Sequence, residues 1–278
     1  MRIPSSDGVE LAVHDLGGDG PPLLLAHATG FLAAVYRPLA ERWAGHFHTW
    51  ALDFRAHGDS TRPVSGDLGW EGMADDVLAT VDALELDRPF AFGHSMGGAA
   101  LVLAEERRPG TFRALDLYEP VLVPAGTFPS TGDGDNPMSA AARRRRPSFA
   151  SRDAAYENYA AKPPLDVLTP AALRAYVDEG FADQPDGTVA LKCRPDDEAE
   201  TFAGGGVHGG WSRLGELHLP VTIVQGGVLD PGPGWMAPAQ VEAIAGGRLV
   251  VAEGLGHFGP VQDPDLVARL AIESLLGG

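Results

Sequence analysis

A chain of 278 residues can hold one large α/β domain or two small ones. Its 44% hydrophobic and 21% charged residues are those of an ordinary folded globular protein, which excludes a disordered or collagen-like chain. The formal net charge of −17 repels polyphosphate backbones and anionic membranes, so neither is expected as a partner, and the single cysteine, Cys193, excludes an internal disulfide framework or a multi-cysteine metal site.

The N-terminal string MRIPSSDGVELAVHDLG alternates polar and apolar residues, without a basic stretch leading into a continuous apolar run, so no secretory signal is expected. The apolar runs elsewhere fall short of a membrane span, which makes the cytoplasm the expected location. Of the 21 basic residues only Lys162 and Lys192 are lysine, a bias typical of GC-rich bacterial coding.

In chain order, GVELAVHDL and PPLLLAH read as strands, YRPLAERWA as a helix and FHTWALDF as a strand. An amphipathic helix follows over residues 70–86, then the strand PFAFGH, a helix over residues 96–108 and the strand RALDLYEP, with Pro89 and Pro109 at the boundaries. This alternation implies a mostly parallel sheet flanked by helices. Residues 121–216 change to helical patches broken by Pro and Gly, read here as a helical cap inserted into the core formed by residues 1–120 and 217–278. The strand-helix rhythm then resumes with LPVTIVQGG, WMAPAQVEAIA, GRLVVAE and a last helix over residues 263–276. Within the cap, four arginines at 143–146 read as a solvated helix end, and GGGVHGG at 204–210 reads as a flexible loop rather than a phosphate cradle, having no strand before it and no Gly-Lys-Ser/Thr ending.

GHSMGG, residues 93–98, contains G-x-S-x-G, the pattern of a sharp turn that lifts a serine hydroxyl above the sheet. In a chain with 36 glycines that string arises by chance about 0.2 times, so its weight comes from the strand before it and the helix after it. Ser95 is the candidate nucleophile. A serine hydroxyl needs a base, itself oriented by a third group. His257, in a loop between the strand GRLVVAE and the last helix, is the candidate base; His208 is the rival, set in a glycine-rich stretch. Two carboxylates compete as the third group: Asp230, just past the strand PVTIVQGG and favoured here, and Glu119, at the end of RALDLYEP. The oxyanion donors are expected to be the amides of Met96, after the nucleophile, and Thr29, in the early loop HATGF.

Together these residues resemble the α/β-hydrolase fold family. DFRAHGDS is similar to the family's D-x-R-G-x-G-x-S loop, with Ala56 where glycine is usual, and HATG to its H-G-x-G loop, with Ala28 in place of the first glycine. The resemblance implies Ser-His-acid chemistry on a carboxylic ester, thioester, lactone or amide, or on a carbon-carbon bond, and disfavours the aspartate-nucleophile epoxide hydrolases and dehalogenases. It implies a small-molecule substrate and no metal or organic cofactor. An acyltransferase or cyclising thioesterase would use the same residues, and a non-catalytic hydrolase-like receptor would bind a small ligand under the cap. The cap aromatics Tyr156, Tyr159, Tyr176, Phe181 and Phe202 are candidate pocket residues.

Overall fold

A computed structural model describes residues 1–128, 136–228 and 232–277. Eight strands form the main sheet: β1 (Arg2–Pro4), β2 (Glu10–Gly17), β3 (Pro22–Ala26), β4 (His48–Leu52), β5 (Phe90–His94), β6 (Ala114–Tyr118), β10 (Val221–Gly226) and β11 (Arg248–Ala252). Their spatial order is β1-β2-β4-β3-β5-β6-β10-β11. The pairs β1/β2 and β2/β4 are antiparallel and all later pairs parallel.

The three central strands are covered on both faces, which is why PLLLA, FAFGH and ALDLY read as nearly continuous apolar runs rather than alternating ones. Successive side chains still point to opposite faces. On β3, Leu23 and Leu25 join the core under α1 (Arg37–Trp43) and α10 (Pro264–Leu276), where they meet Trp43 and Val267. Leu24 and Ala26 enter the opposite core, with Val77 of α2 (Trp70–Ala83) and Leu101 of α3 (Met96–Arg107). Burying one such leucine contributes about 2 kcal/mol.

Because β3 pairs with β4 on one side and β5 on the other, the chain order reverses there, and loops leave the carboxyl ends of β3 and β5 in divergent directions. Crevices at such reversals are where α/β sheets hold ligands. Ser95, Glu119 and the HATGF loop all follow the carboxyl ends of strands and so collect along this edge.

Between β6 and β10 the described chain forms α4 (Pro137–Arg143), β7 (Ser148–Phe149), α5 (Arg152–Ala160), α6 (Pro170–Gly180), β8 (Phe181–Asp183), β9 (Val189–Leu191) and α7 (Pro195–Gly204). The helix starts are local in origin: Asn136, Ser151 and Thr169 cap α4, α5 and α6 through their side chains, and α4, α6 and α7 begin with proline. The segment is not wholly helical, since β7, β9 and β8 form a small antiparallel sheet. Strands of two and three residues are too short to show an alternation in sequence. Two short helices complete the chain, α8 (Ala237–Ala243) before β11 and α9 (Gly259–Gln262) before α10. Among the described residues no helix is long and apolar enough to cross a membrane.

Candidate active site

Ser95 stands alone between β5 and α3 with φ 55° and ψ −114°, a conformation that a residue bearing a side chain holds only under constraint. The flanking glycines supply the constraint. A Cβ at Gly97 would lie 2.1 Å from the carbonyl oxygen of Ala26, and one at Gly93 would lie 2.6 Å from the Cα of Gly98. Strand, turn and helix therefore meet at a separation that only glycine allows.

Facing Ser95 is the loop after β11. His257 Nε2 lies 3.2 Å from Ser95 Oγ, and His257 Nδ1 lies 2.7 Å from Glu119 Oε2. With Nδ1–H donating to the carboxylate, Nε2 is left as the acceptor for the serine proton. Glu119 is buried, holds φ 43°, and accepts a second hydrogen bond at Oε1 from Gly226 N–H at 2.8 Å. Glycine also makes room for it: a Cβ at Gly234 would sit 2.2 Å from Oε1. The structure thus brings Ser95, His257 and Glu119 together; Asp230 lies outside the described residues.

Met96 opens α3, so its amide belongs to the first turn, whose N–H groups have no partner inside the helix. Thr29 lines a cavity of about 590 Å³ beside Gly30, Phe31 and Phe258, the neighbour of His257. The amides around Thr29 are engaged, Ala28 N–H by the hydroxyl of Tyr36 at 3.1 Å and Phe31 N–H by Ala28 O at 3.1 Å. Of the cap aromatics, Tyr159, Tyr176 and Phe202 line this cavity. Tyr156 and Phe181 are not among its lining: the Tyr156 ring carries the Arg174 guanidinium 4.4 Å from its centroid, and Phe181 is buried against Phe149.

His208 is engaged by other partners. Its ring stacks on Trp70 at 5.0 Å between centroids, its Nε2 lies 2.9 Å from the carbonyl of Val121, and burial lowers its pKa. The glycine-rich stretch read as a flexible loop is therefore pinned through its histidine.

Sequence reasoning missed a buried relay behind the serine. Tyr36 O–H donates to His94 Nδ1 at 2.7 Å, and His94 Nε2–H donates to the backbone carbonyl of His257 at 2.8 Å. Burial, reinforced by nearby His257, lowers the His94 pKa well below the ordinary value and keeps the ring neutral, as a donor-acceptor relay requires. His94 was readable only as the residue beside the nucleophile, and Tyr36, within AAVYRP, carries no motif at all.

The model of the alpha/beta hydrolase family matches residues 23–270. Among curated proteins, (E)-2-((N-methylformamido)methylene)succinate hydrolase of Acinetobacter baylyi is 30% identical over 114 residues, covering 41% of each chain. N-formylmaleamate deformylase of Pseudomonas putida is 33% identical over 121 residues, covering 43% of this chain and 45% of that protein. The alignments thus span less than half the length of these relatives. The crystal structure of E-2-(acetamidomethylene)succinate hydrolase superposes with a TM-score of 0.81 at 22% identity, covering 100% of this chain and 98% of that one, a likeness of fold. With its sheet order, its strained serine turn and a family match over most of its length, the chain belongs to the alpha/beta hydrolase family.

Proposed function

We propose that the protein is a serine hydrolase that cleaves a small acyl compound, an ester, thioester, lactone or amide, through an acyl-enzyme on Ser95. The observation that carries this reading is the unbroken chain from Ser95 Oγ to His257 at 3.2 Å and from His257 to Glu119 at 2.7 Å. In the forward step Ser95 Oγ attacks the acyl carbon while His257 Nε2 takes the hydroxyl proton. The amides of Thr29 and Met96 receive the oxyanion, and Glu119 stabilises the imidazolium. The leaving group departs with the proton held on Nε2. Water then gives a proton to Nε2, attacks the acyl carbon and releases the acid and free Ser95 Oγ–H. The segment between β6 and β10 serves as the cap over this chemistry. The two curated relatives are named for N-formyl or N-methylformamido compounds, which supports including an amide among the bonds cleaved.

A fluorophosphonate probe tests the reading. Rapid labelling that is abolished in Ser95→Ala is expected, and no labelling of the wild type would overturn it. With a turned-over ester in hand, Glu119→Gln should lower kcat roughly 10⁴-fold, by analogy with the loss of a triad carboxylate. Asp230→Asn should change it less than roughly threefold, as for a residue outside the triad. The reverse ranking would transfer the acid role to Asp230.

A further inference from the structure

The cavity beside Thr29 and Phe258 carries a charge that the rest of the molecule does not. In a chain of net charge −17, its lining includes Arg144, Arg145, Arg146 and Lys162 against the single carboxylate of Glu198. The run does end a helix and Arg144 and Arg146 stay exposed to solvent, but three of its four arginines also line this cavity. Arg143, the fourth, pairs with Asp196 at 3.3 Å.

Arg145 is the fixed member of this group. Its Nη1 is paired with Glu198, and its Nη2 donates to the hydroxyls of Tyr159, at 3.2 Å, and Tyr176. These bonds employ three of the five N–H groups of a guanidinium, so Nε–H and one Nη1–H remain to donate to a ligand. Each tyrosine hydroxyl accepts from Arg145, which frees its own proton for donation. Burial raises the Tyr176 pKa, so that hydroxyl keeps its proton. The Nε–H and Nη1–H left over lie on different edges of the guanidinium, so each makes a single-point bond, and with the two hydroxyls they supply charge-assisted and neutral donors suited to an anion such as a carboxylate.

We propose that Arg145, with the hydroxyls of Tyr159 and Tyr176, binds a carboxylate carried by the substrate, and that Arg144, Arg146 and Lys162 draw that anion into the cavity. The site then selects acyl compounds whose far end is a second, ionised acid group. This deepens the serine-hydrolase reading and rests on it for the cleaved bond, though not for the binding.

Calorimetry with glutarate, and with uncharged glutaramide as the control, tests binding apart from catalysis. Glutarate is expected to bind and glutaramide not. Arg145→Met should weaken glutarate roughly 10- to 100-fold, the worth of a hydrogen bond to a charged group. Because that change leaves Glu198 buried and unpaired, the double variant R145M/E198M, which removes both charges, is measured alongside it and should show the same loss. Arg144→Gln, on an exposed side chain, should weaken glutarate by a smaller factor that vanishes at high salt. On esters, wild-type kcat/KM should favour monoethyl glutarate over ethyl pentanoate, and R145M/E198M should lose that preference. Equal binding of glutarate and glutaramide, or an equal loss on both esters, would overturn the proposal. Glutarate binding with no fluorophosphonate labelling would overturn the hydrolase reading alone, and labelling without glutarate binding the carboxylate site alone.

Discussion

The hydroxyl of Tyr36 is wholly buried, accepts from Ala28 N–H and donates to His94, so one oxygen ties the loop after β3 to the serine turn. His94 continues the tie to the carbonyl of His257. The bonds at the two ends hold backbone and none touches a reacting atom, which makes Tyr36 and His94 positioning residues. Tyr36→Phe removes one oxygen and leaves a buried amide and a buried imidazole nitrogen without their partner. The expected cost is about 1–3 kcal/mol of unfolding free energy. It is read by urea titration, together with a lower kcat at nearly unchanged KM on any ester the protein turns over. A loss of stability with kcat intact would reduce the relay to a structural role.

At the scale of elements, the loop DFRAHGDS joins the end of β4 to its surroundings. The Asp53 carboxylate accepts from Ala33 N–H at 2.8 Å and Asp59 N–H at 3.0 Å, with His14 Nε2 at 3.1 Å. Arg55 reaches α2, where it grips Asp76 with Nε at 2.9 Å and Nη2 at 2.7 Å, a two-point pair buried on both sides. Directly after Arg55, Ala56 holds φ 62°, the left-handed region that glycine enters freely, which accounts for glycine being usual there. An L-residue in that region costs about 1 kcal/mol, and glycine gives back part of that gain through its looser unfolded state. Ala56→Gly is therefore expected to raise stability by about 0.5 kcal/mol, measured as a shift in urea midpoint at constant slope. A lower midpoint would mean that the buried methyl contributes more by packing than the backbone loses by strain.

For the whole molecule, the acidity of the chain makes pH a global variable, and one carboxyl in the core responds against the usual direction. Asp116 of β6 is completely buried and accepts from Ser274 of α10. Burial pushes its pKa up to about 7, overriding the opposing pull of the Ser274 hydrogen bond. The unfolded chain releases this proton near 3.8, so from there to about 7 the folded state binds more protons than the unfolded one. Stability contributed by this group therefore falls as pH rises through that window and is level above it. Asp116→Asn removes the titration. The variant is expected to gain on the wild type between pH 5 and pH 8 in paired urea titrations, and parallel curves at the two pH values would show that Asp116 is already ionised in the folded protein.

Local physics sufficed for much of this. PLLLA, FAFGH and ALDLY announce buried parallel strands because a strand covered on both faces is apolar at nearly every position, and GHSMGG marks its turn because the crowding at Gly93 and Gly97 leaves no alternative residue. Ser95 and His257 could be singled out as candidates for the same reason, each following a recognisable strand. The carboxylate could not. Asp230 and Glu119 both follow strands, and Glu119 meets His257 only because β6 and β10 lie side by side, so that Gly226 N–H at the end of one orients the carboxylate at the end of the other. The arginine run was equally opaque: along the chain 143–146 is a cluster of like charges, and whether such a cluster faces water or a cavity depends on what α5, α6 and α7 place opposite it. Periodicity and turn chemistry act over a few residues and are written in the sequence; pairings between residues a hundred positions apart exist only once the sheet has assembled, and those pairings brought the Glu119 carboxylate and the charged cavity lining into place.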